Sequence, residues 1–400
     1  RLSPTAAQSI VEPITFDDLC NAFSRAPSAS SPDMDGLPYQ LVDLIVTHHP
    51  ACREIALATF NNALTSSNLP SSWLESCIVL LPQKDPRELL QTWRPISLIN
   101  TDPKVFTPIP SGRMIDQAST LINPFQTEFV RDWYIADNGL LMKLVMEHAH
   151  NTGSSSIGLL LDQEMAYDRV HPVYLHAVPL RFGFPVALVY CISCLLFDTH
   201  LVVNVNGFLS PRVAQLRGLK QGDPISPILF NLAFEPLLRK ILQDHHLSGY
   251  RLPSPQALET PSAVKIMAYA DDIVCLLSSP SDLDRLQQHL QVYSAVSNAS
   301  VNYHKTEAIS LSCSSGTYGT NWRAALLRHN ISSWHDARSS CSFSNLGFSF
   351  YTSIAQQNVY LDKVDCPELP PPQLTVACAS CGDSARLLLR VSAIHHLVLP

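Results

Sequence analysis

Charged side chains are scarce in this chain: Asp, Glu, Lys and Arg make up 15% of its 400 residues, while hydrophobic residues make up 46%. That balance excludes a solvated disordered chain, which needs the opposite composition to stay open. Glycine is short as well, with 14 residues against 30 prolines, so rigid turns are expected rather than flexible linkers. No uninterrupted apolar run reaches the roughly 20 residues of a membrane helix. No basic, apolar and small-residue succession opens the chain, so no secretory leader is expected. A soluble, intracellular protein with no membrane partner is therefore expected, the nucleus being one candidate compartment. Positive charge is lacking too, since 27 Lys and Arg face 34 Asp and Glu for a net charge of -7. A surface that grips nucleic acid all over is thereby excluded, and any such grip has to be local or supplied by other segments. The chain begins at Arg1 without an initiator Met and reads as a piece of something longer.

What is present begins with length, which suffices for a large multi-lobed core or two domains. The 11 cysteines, an odd number without a leader, fit reduced buried thiols better than a disulfide framework. Two Cys-x-x-Cys pairs occur, Cys191/Cys194 and Cys378/Cys381, but neither has a second pair at zinc spacing.

Along the chain, residues 12–25 form an amphipathic pattern with a Thr15 cap and an acidic first turn. A Ser, Pro, Asp and Gly loop follows, then a second helix is expected over residues 39–65. Residues 77–81 suit a strand, and a polar loop leads to Trp93-Arg94-Pro95-Ile96. Residues 104–118 have helical neighbours but are interrupted by Pro103, Pro108 and Pro110. A helix over residues 138–150 leads into the apolar run Ile157 to Leu161, which ends in Asp162. A buried strand that delivers a carboxylate at its end is the natural reading. Residues 171–199 look helical on both sides of Gly183-Phe184-Pro185, and Asn206-Gly207 marks a hairpin turn. A strong helical pattern covers residues 227–242. Residues 264–277 read as strand, tight turn and strand, and residues 281–297 as another amphipathic helix.

Two adjacent carboxylates in the turn of an apolar hairpin, Asp271 and Asp272, are unusual because they repel each other and Asp is a poor strand residue. On its own the pair is also what a hairpin looks like when Asp simply forms the turn. If the strand ending in Asp162 is a neighbour in the same sheet, three carboxylates converge and can hold divalent Mg2+ through oxygen ligands. Two such ions stabilise the attacking and leaving oxygens of a phosphoryl transfer, which is nucleotidyl-transfer chemistry.

From Ser31 to Leu361 the sequence resembles the reverse transcriptases, most closely those of non-LTR (LINE-type) retrotransposons. Tyr269-Ala270-Asp271-Asp272 is similar to the family's YADD block, and Leu161-Asp162 followed by Ala166-Tyr167-Asp168 to its first carboxylate block. Residues 218–227, from Gly218 through Gln221-Gly222-Asp223-Pro224 to Pro227, with Leu229-Phe230-Asn231 beyond, resemble the block between them. Residues 33–38, residues 93–98, Gln126-Thr127-x-Phe129 with Arg131, Asn302 with Lys305, and Leu346-Gly347-Phe348 resemble the remaining blocks in the family's order. Each block is weak alone, and together in order they are specific.

The resemblance implies an α+β right-hand polymerase fold with fingers, an antiparallel palm sheet backed by helices, and an incomplete thumb. Residues 1–75 would be an N-terminal helical extension, 76–156 fingers, 157–350 palm with an inserted fingers segment, and 351–400 the start of a thumb with a degenerate tail. The implied reaction is RNA-directed DNA synthesis on an RNA template from a DNA primer and dNTPs, with two Mg2+ ions, replaceable by Mn2+. Asp162, Asp271 and Asp272 are the implied metal ligands, and Arg94 would hold the triphosphate. Tyr167 would be an aromatic gate against a 2'-OH, Gln221 and Gly222 would approach base and template, and Lys305 would protonate pyrophosphate. Leu346, Gly347 and Phe348 would grip the primer. A flanking endonuclease domain would lie outside this chain. The rivals are another reverse transcriptase class, such as a group II intron maturase or a retron, and a catalytically inactive remnant or RNA-binding protein.

Several positions depart from the family. Glu128 and Asp33 stand where Gly is usual, and Met165 where Lys is common. Pro103, Pro108, Pro110 and Pro179 fall in helical segments, where an interior proline costs about 3 kcal/mol against a total stability of about 5–15 kcal/mol. A degenerate copy of an element is therefore expected. After residue 365 the pattern dissolves into Pro367, Pro370, Pro371 and Pro372 with few cations, as a reading-frame slip near Val364 would produce.

Overall fold

The computed structural model describes residues 1–27, 34–83, 85–130, 133–252 and 263–364. Asp33, Arg131, Cys378/Cys381 and the expected poor packing after residue 365 lie outside them.

The chain opens with α1 (Pro4–Ile10), α2 (Phe16–Arg25), α3 (Tyr39–His48) and α4 (Pro50–Ser66). Thr15 caps α2 as its sequence predicts: its side chain accepts from the Asp18 N–H, and its own N–H donates to Asp18 Oδ2. The single helix expected over residues 39–65 is two, because Pro50 forces His49 out of the helical region and then opens α4.

Next come β1 (Glu75–Pro82), β2 (Trp93–Leu98), α5 (Thr101–Phe106), α6 (Pro108–Leu121) and α7 (Ile135–Thr152). The prolines expected to damage this region do not. Pro103 lies in the first turn of α5, and Pro108 and Pro110 in that of α6, where backbone N–H groups have no intrahelical acceptor to lose. They divide one helical stretch into two. Pro179 is different, since it sits inside α9.

The chain continues through β3 (Ile157–Leu161), α8 (Ala166–Arg169), α9 (Pro172–Phe182) and α10 (Val186–Phe197). The hairpin strands β4 (His200–Val205), β5 (Phe208–Leu209) and β6 (Val213–Ala214) precede α11 (Ser226–Gln243). Then follow β7 (Ile266–Tyr269), β8 (Asp272–Leu277), α12 (Pro280–Ser297), β9 (Glu307–Ser310) and α13 (Arg323–Arg328). The described part closes with β10 (Ser333–His335), β11 (Phe343–Asn345), β12 (Phe348–Phe350) and α14 (Ile354–Val364).

One sheet has the order β2-β1-β4-β5, with β6 also on β4; β1 pairs antiparallel with β2 and parallel with β4. A second has the order β10-β9-β3-β8-β7. It is antiparallel as expected except at its edge, where β10 runs parallel to β9.

Both faces of the second sheet are covered. Ile157, Leu159, Ile273 and Cys275 share a core with Phe234 and Leu238 of α11 and Leu286 of α12. Val274, Leu276 and Ile309 point the other way, into a core with Met142 and Val145 of α7. This explains why β3 and β8 read as continuous apolar runs rather than alternating ones. It also means that a carboxylate can meet solvent only where such a strand ends.

Candidate active site

Leu161 of β3 lies opposite Ile273 of β8, so the next residues toward the strand ends, Asp162 and Asp272, come side by side. Tyr269 pairs with Asp272, which leaves Ala270 and Asp271 as a two-residue turn. Ala270 holds φ at +49°, a conformation that costs a residue with a Cβ roughly 1–2 kcal/mol. The turn thus sets Asp271 beside Asp272 and next to the end of β3.

The carboxylates act on one another. Burial, then Asp271, then Asp162 push the Asp272 carboxyl up to about 6. A fourth acid joins them: burial, then Asp271 and Asp272, push Glu128 up to about 8. The Tyr167 hydroxyl is raised by burial, Glu128 and Asp271, which places this ring at the same cluster. Tyr167 stacks on Phe230, with centroids 4.8 Å apart.

Backbone hydrogen bonds tie distant segments to the site. The Asn302 N–H donates to the Asp162 carbonyl oxygen at 2.8 Å, and Glu164 N–H to that of Ser300 at 2.8 Å. Lys305, three residues beyond Asn302, is exposed. The Leu219 N–H donates to the Tyr167 carbonyl oxygen at 2.8 Å, and Gln221 Nε2 to Asp168 Oδ1 at 3.4 Å.

Gly222 has a role within the protein as well. It has φ +110°, and a Cβ on it would stand 2.9 Å from the Ser97 carbonyl oxygen of β2, so the close approach it permits is to the protein's own strand. The Ser97 N–H also donates to the Gln221 carbonyl oxygen at 2.8 Å. Lys220 is buried, with Nζ donating to the Leu195 carbonyl oxygen.

Arg94 stands exposed on β2, opposite Leu81. With the Gln83 amide oxygen turned toward it, Nε and Nη2 of Arg94 both donate at 2.9 Å. Leu346 and Gly347, both with positive φ, form the turn between β11 and β12. Phe348 lies against α7, where a Cβ on Gly139 would stand 2.9 Å from its ring. Of the two Cys-x-x-Cys pairs, the one described has Cys191 buried and its thiol pushed up to about 12, first by burial, so it is inert.

The sequence reading missed Glu128 and Phe230 as members of the site. An acid in place of a usual Gly was a visible signal for the first. The second stood in the family block Leu229-Phe230-Asn231, but an aromatic beside a helix start reads as ordinary core.

A family model described as "Reverse transcriptase (RNA-dependent DNA polymerase)" matches residues 81–350. The chain belongs to the reverse transcriptase family. It is 31% identical over 309 residues to the "Transposon TX1 uncharacterized 149 kDa protein" of Xenopus laevis, covering 77% of this chain and 23% of that protein. It is 29% identical over 262 residues to the "Retrovirus-related Pol polyprotein from type-2 retrotransposable element R2DM" of Drosophila melanogaster, covering 65% and 23%. Such relatives place this reverse transcriptase domain among LINE-type elements, and the chain spans about a quarter of their length. An apo telomerase from Candida tropicalis shares 12% identity over 60% of this chain and 51% of that one, with a TM-score of 0.43.

Within this family the fold is the α+β right-hand polymerase, with a fingers sheet and a palm sheet. Reverse transcriptases use divalent metal ions. Among the described residues no three His, Cys, Asp or Glu side chains already stand in a metal-ligating group. The donor chemistry nevertheless fits a hard cation: the site is built of carboxylates that repel one another, and Glu128 Oε2 is buried without a hydrogen-bond partner.

Proposed function

We propose that this domain carries out RNA-directed DNA synthesis, adding a deoxynucleotide to a primer 3'-OH. The observation that carries this is the register of β3 and β8, which brings Asp162 beside Asp272 at the turn holding Asp271. Asp162, Asp271 and Asp272 would hold Mg2+ ions, or Mn2+ in their place, which neutralise the phosphates and the two oxygens that exchange at phosphorus.

The 3'-oxygen bonds to the α-phosphorus as the bond to the β-phosphate oxygen breaks, and pyrophosphate leaves. The attacking hydroxyl gives its proton to solvent water, and exposed Lys305 supplies one to the leaving group. Arg94 binds the triphosphate with the paired donors it now turns toward Gln83. Tyr167, fixed on Phe230, walls off a 2'-OH. Gln221 and Gly222 line the template side, and Leu346, Gly347 and Phe348 position the primer end. The partners are an RNA template, a DNA primer and dNTPs.

Primer extension on an RNA template tests this. Wild type should extend, and Asp271→Asn should extend at least about 100-fold more slowly with an unchanged circular dichroism spectrum. Undiminished extension by the folded variant would refute the role of the carboxylates.

A further inference from the structure

Residues 125–128 are fixed against the edge of the palm sheet. The Ala268 N–H donates to the Phe125 carbonyl oxygen at 2.8 Å, and the Thr127 N–H to that of Ala268 at 3.1 Å. Asn138 of α7 donates to Thr127 Oγ1 at 2.9 Å and to the Ala268 carbonyl oxygen at 3.2 Å. Asn231 of α11 donates to the Glu128 carbonyl oxygen at 2.6 Å and accepts from Gln126 at 3.2 Å. Gln126, Asn138 and Asn231 are at most 4% exposed. Glu128 therefore springs from a rigid frame beside the Tyr269-Ala270-Asp271 turn.

One oxygen of its side chain is unsatisfied there. Glu128 Oε2 is buried and has no hydrogen-bond partner. The charged groups acting on it among the described residues are Asp271 and Asp272, both of its own sign. Glu128 and Asp271 also both raise the Tyr167 hydroxyl, after burial. A buried carboxylate oxygen without a hydrogen-bond partner, beside acids of its own sign, is costly, and a cation among them removes the cost.

We propose that Glu128 is a fourth carboxylate of this site and lets the free enzyme hold a divalent cation before a nucleotide arrives. A hard cation takes about six or more oxygens, and with three carboxylates several of these must come from water or nucleotide phosphate. Glu128 adds an oxygen from the protein itself, and a negative charge once the cation takes the place of its proton. The ion then no longer depends on the triphosphate to stay. Glu128 can act so only if Asp162, Asp271 and Asp272 hold a cation as proposed above.

The test is Mn2+ binding without nucleotide, read by the free-ion electron paramagnetic resonance signal. Wild type, Glu128→Gln, Glu128→Gly and Asp271→Asn are compared, each first shown to be folded by circular dichroism. Glu128→Gln keeps the volume and should weaken Mn2+ binding on the order of tenfold or more. Glu128→Gly should weaken it equally, since charge and not bulk is at issue. If Asp271→Asn weakens binding while both Glu128 variants match wild type, the role of Glu128 is overturned and the carboxylate site stands. If no variant differs from wild type, both are overturned; if wild type binds no Mn2+ until nucleotide is added, the role of Glu128 is overturned and the carboxylate site stands.

Discussion

Tyr167 and Phe230 stack with their planes only 12° from parallel. Motif and support therefore come from different elements, α8 and α11, and the position of the gate depends on how α11 is packed. Tyr167→Ala should raise ribonucleotide incorporation relative to deoxynucleotide by about tenfold or more, the effect of losing about 1.4 kcal/mol of discrimination. Phe230→Leu keeps most of the volume but loses the stack, at a cost of about 1 kcal/mol, and should give a smaller change of the same sign. Single-nucleotide extension with dNTP and rNTP measures both, and unchanged discrimination in Tyr167→Ala removes the gate.

Gly222→Ala should damage the site through the fingers sheet. The new Cβ meets the Ser97 carbonyl oxygen, and the backbone has a φ that an L residue rarely adopts. A loss of about 1–3 kcal/mol in denaturant unfolding is expected. Extension should fall further than stability does, because the Gln221 bonds to Ser97 and Asp168 shift together. A variant as stable and as active as wild type would contradict the packing role.

Asp244 offers a test of stability against pH, away from the site. Burial alone would raise its carboxyl, but hydrogen bonds from Arg285, the His246 N–H and His289 outweigh it and hold the carboxyl well below the usual range. A depressed pKa contributes stability in full above the unfolded value of about 3.9 and loses it as pH falls below that. Asp244→Asn should therefore cost about 3 kcal/mol at pH 7, and its difference from wild type should shrink below about pH 4. Urea melts at pH 7 and pH 3.5 decide it; a constant difference would refute the linkage.

The prolines divide into harmless and costly. Pro179 inside α9 deprives the Leu175 carbonyl of its donor, whereas Pro110 in a first turn deprives nothing. Pro179→Ala should raise stability by about 1–2 kcal/mol, and Pro110→Ala should not. Equal effects in thermal melts would show that helix position is not what matters.

Much of the site was legible because its signals are local. Asp162 ends an apolar run, and Asp271-Asp272 interrupt another, so burial and charge conflict in plain view. The β3–β8 register that joins them was only conditional in the sequence, since 110 positions separate Asp162 from Asp272 and no motif announces that their strands pair. The break at His49 was missed although Pro50 announces it. The first-turn prolines were misjudged because their cost depends on where a helix starts, which Asn100 and Thr107 do not advertise by capping side chains. Glu128 was noticed as a departure, but nothing local says that its oxygen is buried among acids.

The parallel pairing of β1 with β4 sets Glu75 opposite His200. On a ribosome that adds about 5–20 residues per second, β1 and β2 would wait several seconds before their partner strand emerges. During that interval β1 presents an open strand edge, a template for pairing with other chains. A nascent chain stalled before residue 200 should thus clump more readily than one stalled far enough past residue 214 for β4 and β6 to have left the ribosome, which sedimentation of the stalled chains would measure.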